Sequence, residues 1–148
     1  MCSTAVRANH LEGAGVELMA SSDNVLRGGL TPKHIDLPEL MRVVRFEPRP
    51  VTILKTEKQG LNETVYVTPA DEFALSTISV SSDAEYQSGL KRGAEILLCT
   101  EGKGLIQNTD RRQNLEIHQG QSILVPAAVG GYRISGNAII YKAGTPLE

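Results

Sequence analysis

Cysteine is nearly absent from this sequence: only Cys2 and Cys99 occur in 148 residues. Two isolated thiols make neither a disulfide framework nor a zinc ribbon. Cys99, inside an apolar run, reads as an inert core thiol. There is no excess of basic charge. Fifteen Lys and Arg face seventeen Asp and Glu, a net charge of −2, which argues against a nucleic-acid binder. No apolar run approaches the roughly 20 residues of a membrane span. The opening MCSTAVRANHLEG lacks the apolar middle of a signal peptide, so a cytoplasmic protein is expected. Histidine is scarce as well. His10, His34 and His118 are the three present, and no pair has the spacing of metal ligands. His34, just before a helix, reads as structural, and His118 as a strand residue beside a Gln-Gly turn.

What is present falls into three stages, 1–36, 37–49 and 50–148. The first carries Gly13, Gly15, Gly28 and Gly29 among short apolar pieces. A helix is expected over 36–45. Asp36 can cap it, Glu39 can complete a capping box, and Pro38 sits in the first turn. Leu37, Leu40, Met41 and Val44 then form one apolar face, and Pro48 and Pro50 end it. Beyond them the pattern predicts strands near 51–55, 64–67, 73–80, 94–100, 104–108, 113–118, 122–125, 132–135 and 138–142. Turns are expected at Glu101-Gly102, Thr109-Asp110, Gln119-Gly120, Gly130-Gly131 and Ser135-Gly136-Asn137. The core is expected to include Ile78, Ile96, Leu98, Ile123, Val125 and Ile140, with Ile96 to Cys99 as a continuous buried run.

Many short strands without intervening helices point to a sandwich or small barrel. The succession in ILLCTEGKGLIQ and LEIHQGQSILVPAAVGGYRISG resembles a cupin-type jelly roll. Metal-binding cupins carry a histidine or glutamate cluster in the first such motif and a histidine in the second. Here the first offers only Glu95 and Glu101, which implies a jelly roll with no metal site of its own.

The stretch VELMASSDNVLRGGLTPKHIDLPEL, residues 16–40, closely resembles the signature near the C-terminal end of type I mannose-6-phosphate isomerases. The resemblance implies a mostly β fold: a cupin-like jelly roll, an antiparallel β-sandwich, preceded by a short linking helix and the tail end of a second, catalytic cupin domain. It also implies interconversion of mannose 6-phosphate and fructose 6-phosphate with zinc as cofactor. In the family the zinc is held by a glutamine, a glutamate and two histidines, most of them upstream of this signature. The last histidine belongs to a His-Ala-Tyr-Leu-x-Gly stretch. Aligning its end with Leu11-Glu12-Gly13 puts Ala8 at the histidine position and His10 at the tyrosine. On this resemblance the chain holds none of the four ligands.

The same resemblance implies that Arg27 is the active-site arginine, Glu17 and Asp23 acidic residues lining the site, and Lys33 a nearby substrate-binding lysine. A guanidinium suits a developing oxyanion or a sugar phosphate because it is always charged and forked. Residue by residue, plainer roles stay open. Arg27 can pair with Asp23 on the surface, Glu17 can be the exposed side of a strand, Asp23 a turn residue and Lys33 a solvated one. Three expectations follow. The first is an isomerase portion inactive alone, its partners a sugar phosphate and a polypeptide carrying the missing catalytic half. The second is a non-catalytic jelly-roll module that binds a sugar phosphate or supports oligomerisation. The third is a metal cupin recruiting His10, His34 and His118.

Overall fold

Asp36 begins the one helix found among the described residues. A computed structural model describes residues 12–19, 26–29, 31–44, 53–110 and 114–146. Helix α1 covers Leu37–Val43, and Asp36 Oδ1 accepts the Glu39 N–H at 3.0 Å. The expected capping box is not completed. The Glu39 carboxylate instead takes the Arg42 guanidinium one turn on, with Nε donating to Oε2 at 2.8 Å, a charged partner that outcompetes a neutral backbone N–H. The apolar face is narrower than its spacing suggests: Leu40 and Val44 are half-buried, whereas Leu37 and Met41 are exposed.

The chain divides into two compact units, Met1–Thr52 and Ile53–Glu148. The second holds eight described strands: β1 (Thr56–Gln59), β2 (Glu63–Tyr66), β3 (Ala74–Val80), β4 (Tyr86–Gln87), β5 (Glu95–Asn108), β6 (Asn114–His118), β7 (Ser122–Val125) and β8 (Tyr132–Gly144). All pairings are antiparallel, in the order β1-β2-β3-β8-β5-β6, with β4 added to β8 and β7 to β5. Strands β5 and β8 pair along nearly their whole lengths and form a spine. One end of β5 holds β7 and the other end β6. One end of β8 holds β3 and the other β4. A pair of long strands serving both halves of an antiparallel sheet is the jelly-roll architecture.

Two expected turns prove to be corners inside these long strands. The pieces 94–100 and 104–108 are one strand, as are 132–135 and 138–142. The register shifts between Cys99 and Glu101, leaving Thr100 as the extra residue of a β-bulge, and its Oγ1 donates to Ile139 O at 3.2 Å. Gly102 follows at φ +71, and a Cβ there would lie 2.1 Å from Asn137 O. Gly136, at φ +116, has Lys103 O 2.8 Å from its own Cβ position. Glycine therefore marks close backbone approach between paired strands here rather than chain reversal. The true turn, Gln119-Gly120, lies beside the bulge, where Gly120 N–H donates to Cys99 O at 2.8 Å and Gln119 N–H to Gly102 O at 3.0 Å.

Other expectations move less. No strand covers 53–55, the first beginning at Thr56, while 51–52 lie outside the described residues. The alternation in β3 is as expected, with Ser76, Ile78 and Val80 inward. The continuous buried run at Ile96 is not. Glu95, Leu97 and Cys99 face inward, which turns Ile96 out to 50% exposure and leaves Leu98 only half-buried. Ile78, Val125 and Ile140 are core residues as expected, and Ile123 packs against that core from a partly buried position. Val80, Tyr86, Leu97, Cys99, Ile106, Ile117, Tyr132, Ile134 and Ala138 complete it, each large aliphatic side chain contributing roughly 1.5–3 kcal/mol on burial.

Candidate functional site

The residues singled out by sequence lie in the first unit. Arg27 is half-buried, Glu17 and Lys33 are exposed, and Asp23 lies outside the described residues. Lys33 is held by its backbone, whose N–H donates to Thr31 Oγ1 at 3.2 Å. Gly29, at φ +130, supplies a turn beside Arg27 that other residues resist. No hydrogen bond or ion pair joins Glu17, Arg27 and Lys33 among the described residues. His34 is exposed, His10 lies outside the described residues, and His118 is an exposed β6 residue 3.4 Å from Glu116 Oε2.

The β unit brings together a different set. Strand alternation turns Glu63 of β2, Ser76 of β3 and Glu95 of β5 inward, and Lys142 of β8 lies directly opposite Ser76 in register. Lys142 Nζ stands 2.6 Å from Glu63 Oε1, donates to Tyr86 OH at 3.0 Å and lies 3.9 Å from Glu95 Oε1. Ser76 Oγ donates to that same Glu63 oxygen at 2.6 Å. Tyr132 OH donates to Glu95 Oε2 at 2.9 Å, with Arg92 Nη1 3.6 Å from it. Arg92 Nη2 also donates to the carbonyls of Pro126, at 3.1 Å, of Gly130, at 3.0 Å, and of Val129. Two carboxylates and two cations thus neutralise one another, the condition under which buried charge is tolerated.

These neighbours set the titration of the site. Burial pushes the Tyr132 hydroxyl far up, reinforced by the Tyr86 and Glu95 charges, and burial likewise raises Tyr86. Burial alone would lower Lys142, but its contacts with Glu63 and Tyr86 outweigh that and hold its ammonium above the usual lysine value. The cluster lines a cleft of about 710 Å³, with Glu63, Tyr86, Arg92, Glu95 and Lys142 on its walls. Sequence reasoning marked only Glu95 of this group. Glu63 precedes the strand expected near 64–67, in an otherwise polar stretch, and Lys142 follows the apolar Ile139-Ile140-Tyr141, so each looks like a surface residue until register places the two together.

Zinc finds no fit among the described residues, where no three His, Cys, Asp or Glu side chains converge as metal ligands do. The polar contacts of the cleft are those of a hydrogen-bonding pocket. None of the described helices is long and apolar enough to cross a membrane.

Residues 62–143 match the family model described as the mannose-6-phosphate isomerase cupin domain. The chain belongs to the mannose-6-phosphate isomerase family. It is 38% identical over 140 residues to the mannose-6-phosphate isomerase of Escherichia coli, covering 93% of this chain and 34% of that protein. The Salmonella typhimurium isomerase is 40% identical over 140 residues, again with 93% and 34% covered. The crystal structure of the Salmonella mannose 6-phosphate isomerase bound to substrate (fructose 6-phosphate) and zinc superposes with a TM-score of 0.72 at 36% identity, covering 87% of this chain and 32% of that one. The chain therefore corresponds to a C-terminal portion of the type I enzyme and spans about a third of the length of its curated relatives.

Proposed function

We propose that this chain serves the interconversion of mannose 6-phosphate and fructose 6-phosphate as the C-terminal part of a zinc-dependent isomerase, and that its 148 residues alone do not turn substrate over. The observation that carries the reading is the similarity over 93% of this chain to isomerases about three times its length. On this reading residues 1–36 belong to the edge of the catalytic domain, 37–49 link it onward, and 50–148 form the C-terminal jelly roll. The zinc ligands come from a polypeptide carrying the other part of the catalytic domain.

The chemistry assigned to this chain rests on Arg27. Moving a carbonyl between C1 and C2 passes through an enediolate, whose developing negative charge a fixed guanidinium stabilises without reorganising. The flanking Gly28 and Gly29 let the backbone come close to a ligand there. Glu17 and Asp23 add acidic groups for proton transfer or for orienting sugar hydroxyls, and Lys33 adds a cation toward the phosphate. In enzyme reconstituted with the catalytic part, Arg27→Ala is expected to abolish turnover. Arg27→Lys should do nearly as much damage, since a point charge replaces the fork. Full activity in both variants would overturn the assignment of Arg27.

A further inference from the structure

We propose that the cleft of the β unit binds a neutral, hydroxyl-rich small molecule of monosaccharide size, at a site built from Lys142, Glu95, Glu63 and Tyr86. Its volume of about 710 Å³ lies within the roughly 300–1,000 Å³ of small-molecule pockets. The charged residues on its walls are Glu63, Glu85, Glu95, Lys91, Arg92 and Lys142. Three acids against three bases, 3 − 3, leave no net charge to attract an ion of either sign.

The decisive geometry is at Lys142. An ammonium has three donors. Two are taken by Glu63, at 2.6 Å, and Tyr86, at 3.0 Å. The second carboxylate, at Glu95 Oε1, stands at 3.9 Å, beyond hydrogen-bond reach. A hydroxyl between them satisfies both, accepting from Nζ and donating to the Glu95 oxygen. Phosphate is disfavoured here, because its negative oxygens meet the Glu95 carboxylate. A cation meets Lys142. Arg92, the other buried cation, directs its Nη atoms to four backbone carbonyls, those of Gly93, Pro126, Val129 and Gly130, and to Glu95, while its buried Nε has no hydrogen-bond partner among the described residues. Adjacent hydroxyls of a sugar find further acceptor capacity on Glu63 and amide groups at Gln59 and Gln87 on the wall.

Binding here needs neither zinc nor turnover, so its test is independent of the isomerase reading. The full chain is titrated with D-mannose, with D-fructose and, separately, with inorganic phosphate, and amide shifts are followed by NMR. At least one of the two sugars is expected to give saturable shifts at Glu95, Gln87 and Lys142, with phosphate giving none there. Gly89→Leu fills the cleft wall with little strain, since a Cβ there meets only Lys91 O at 3.6 Å. It should weaken the sugar about tenfold or more, 1.4 kcal/mol in binding free energy, while the thermal midpoint stays put. The proposal is overturned if neither sugar produces saturable shifts at these residues up to about a hundredfold above a millimolar Kd. It is equally overturned if phosphate gives the same shifts, or if Gly89→Leu binds as the parent chain does.

Discussion

Lys142 of β8 meets two carboxylates and a tyrosine on three other strands, β2, β4 and β5, through one ammonium. Lys142→Met leaves Glu63 and Glu95 enclosed with one counter-charge fewer. Removing one member of a buried ion pair costs about 3–5 kcal/mol, so the variant should show a loss of that size in urea unfolding. Tyr132→Phe removes the donor to Glu95 Oε2 and should cost about 1–3 kcal/mol. The same groups predict alkaline sensitivity. Burial raises Tyr86 and Tyr132 above their ordinary 10.0, and Lys142 stands above 10.5 because Glu63 and Tyr86 outweigh its burial. Above those ordinary values the native chain holds protons that the unfolded chain has released, so stability falls as pH rises. Thermal midpoints should be flat up to about pH 9 and then decline, with a shallower slope in Tyr132→Phe. A midpoint that holds steady to pH 11 would contradict the placement of these groups.

At the scale of elements, the strands were legible where one face meets the core. The alternation in β3 and the bounds of β7 follow from their residues, and α1 follows from Asp36 and Pro38. The long strands were not legible as single elements. A glycine within a strand and a glycine in a turn look alike in one dimension, and only pairing reveals that Gly102 and Gly136 let the paired backbones of β5 and β8 approach closely beside the bulge. The outward turn of Ile96 is hidden for a related reason. A four-residue apolar run gives no phase, and the phase is set by Glu95, an inward carboxylate that hydrophobicity cannot anticipate. The corner makes its own prediction. Gly102→Ala combines a left-handed backbone with a Cβ 2.1 Å from Asn137 O, whereas Gly120→Ala, at φ +83, meets nothing within 4 Å. The second should cost about 1 kcal/mol of strain alone, and the first clearly more, upward of about 2 kcal/mol. Equal losses in thermal or urea unfolding would contradict the bulge.

At the scale of the whole molecule, two regions of different legibility share one chain. The Arg27 segment is visible in sequence because polar, apolar, Gly and Pro positions fall together over 25 residues, yet among the described residues no hydrogen bond or ion pair joins Arg27, Glu17 and Lys33. The jelly-roll cleft was hidden, because Glu63, Glu95 and Lys142 are far apart in sequence and meet only through the register of β2, β3, β5 and β8. On the proposed reading the first of these regions is completed from elsewhere, the relatives being about three times as long as this chain. The most direct measurement is turnover of mannose 6-phosphate by the purified 148-residue chain with added zinc, before and after mixing with a polypeptide that carries the catalytic part. The account predicts no turnover by the chain alone and a rate that appears on mixing and is lost with Arg27→Ala. Turnover by the chain alone, removed by a chelator and by Arg27→Ala, would contradict it.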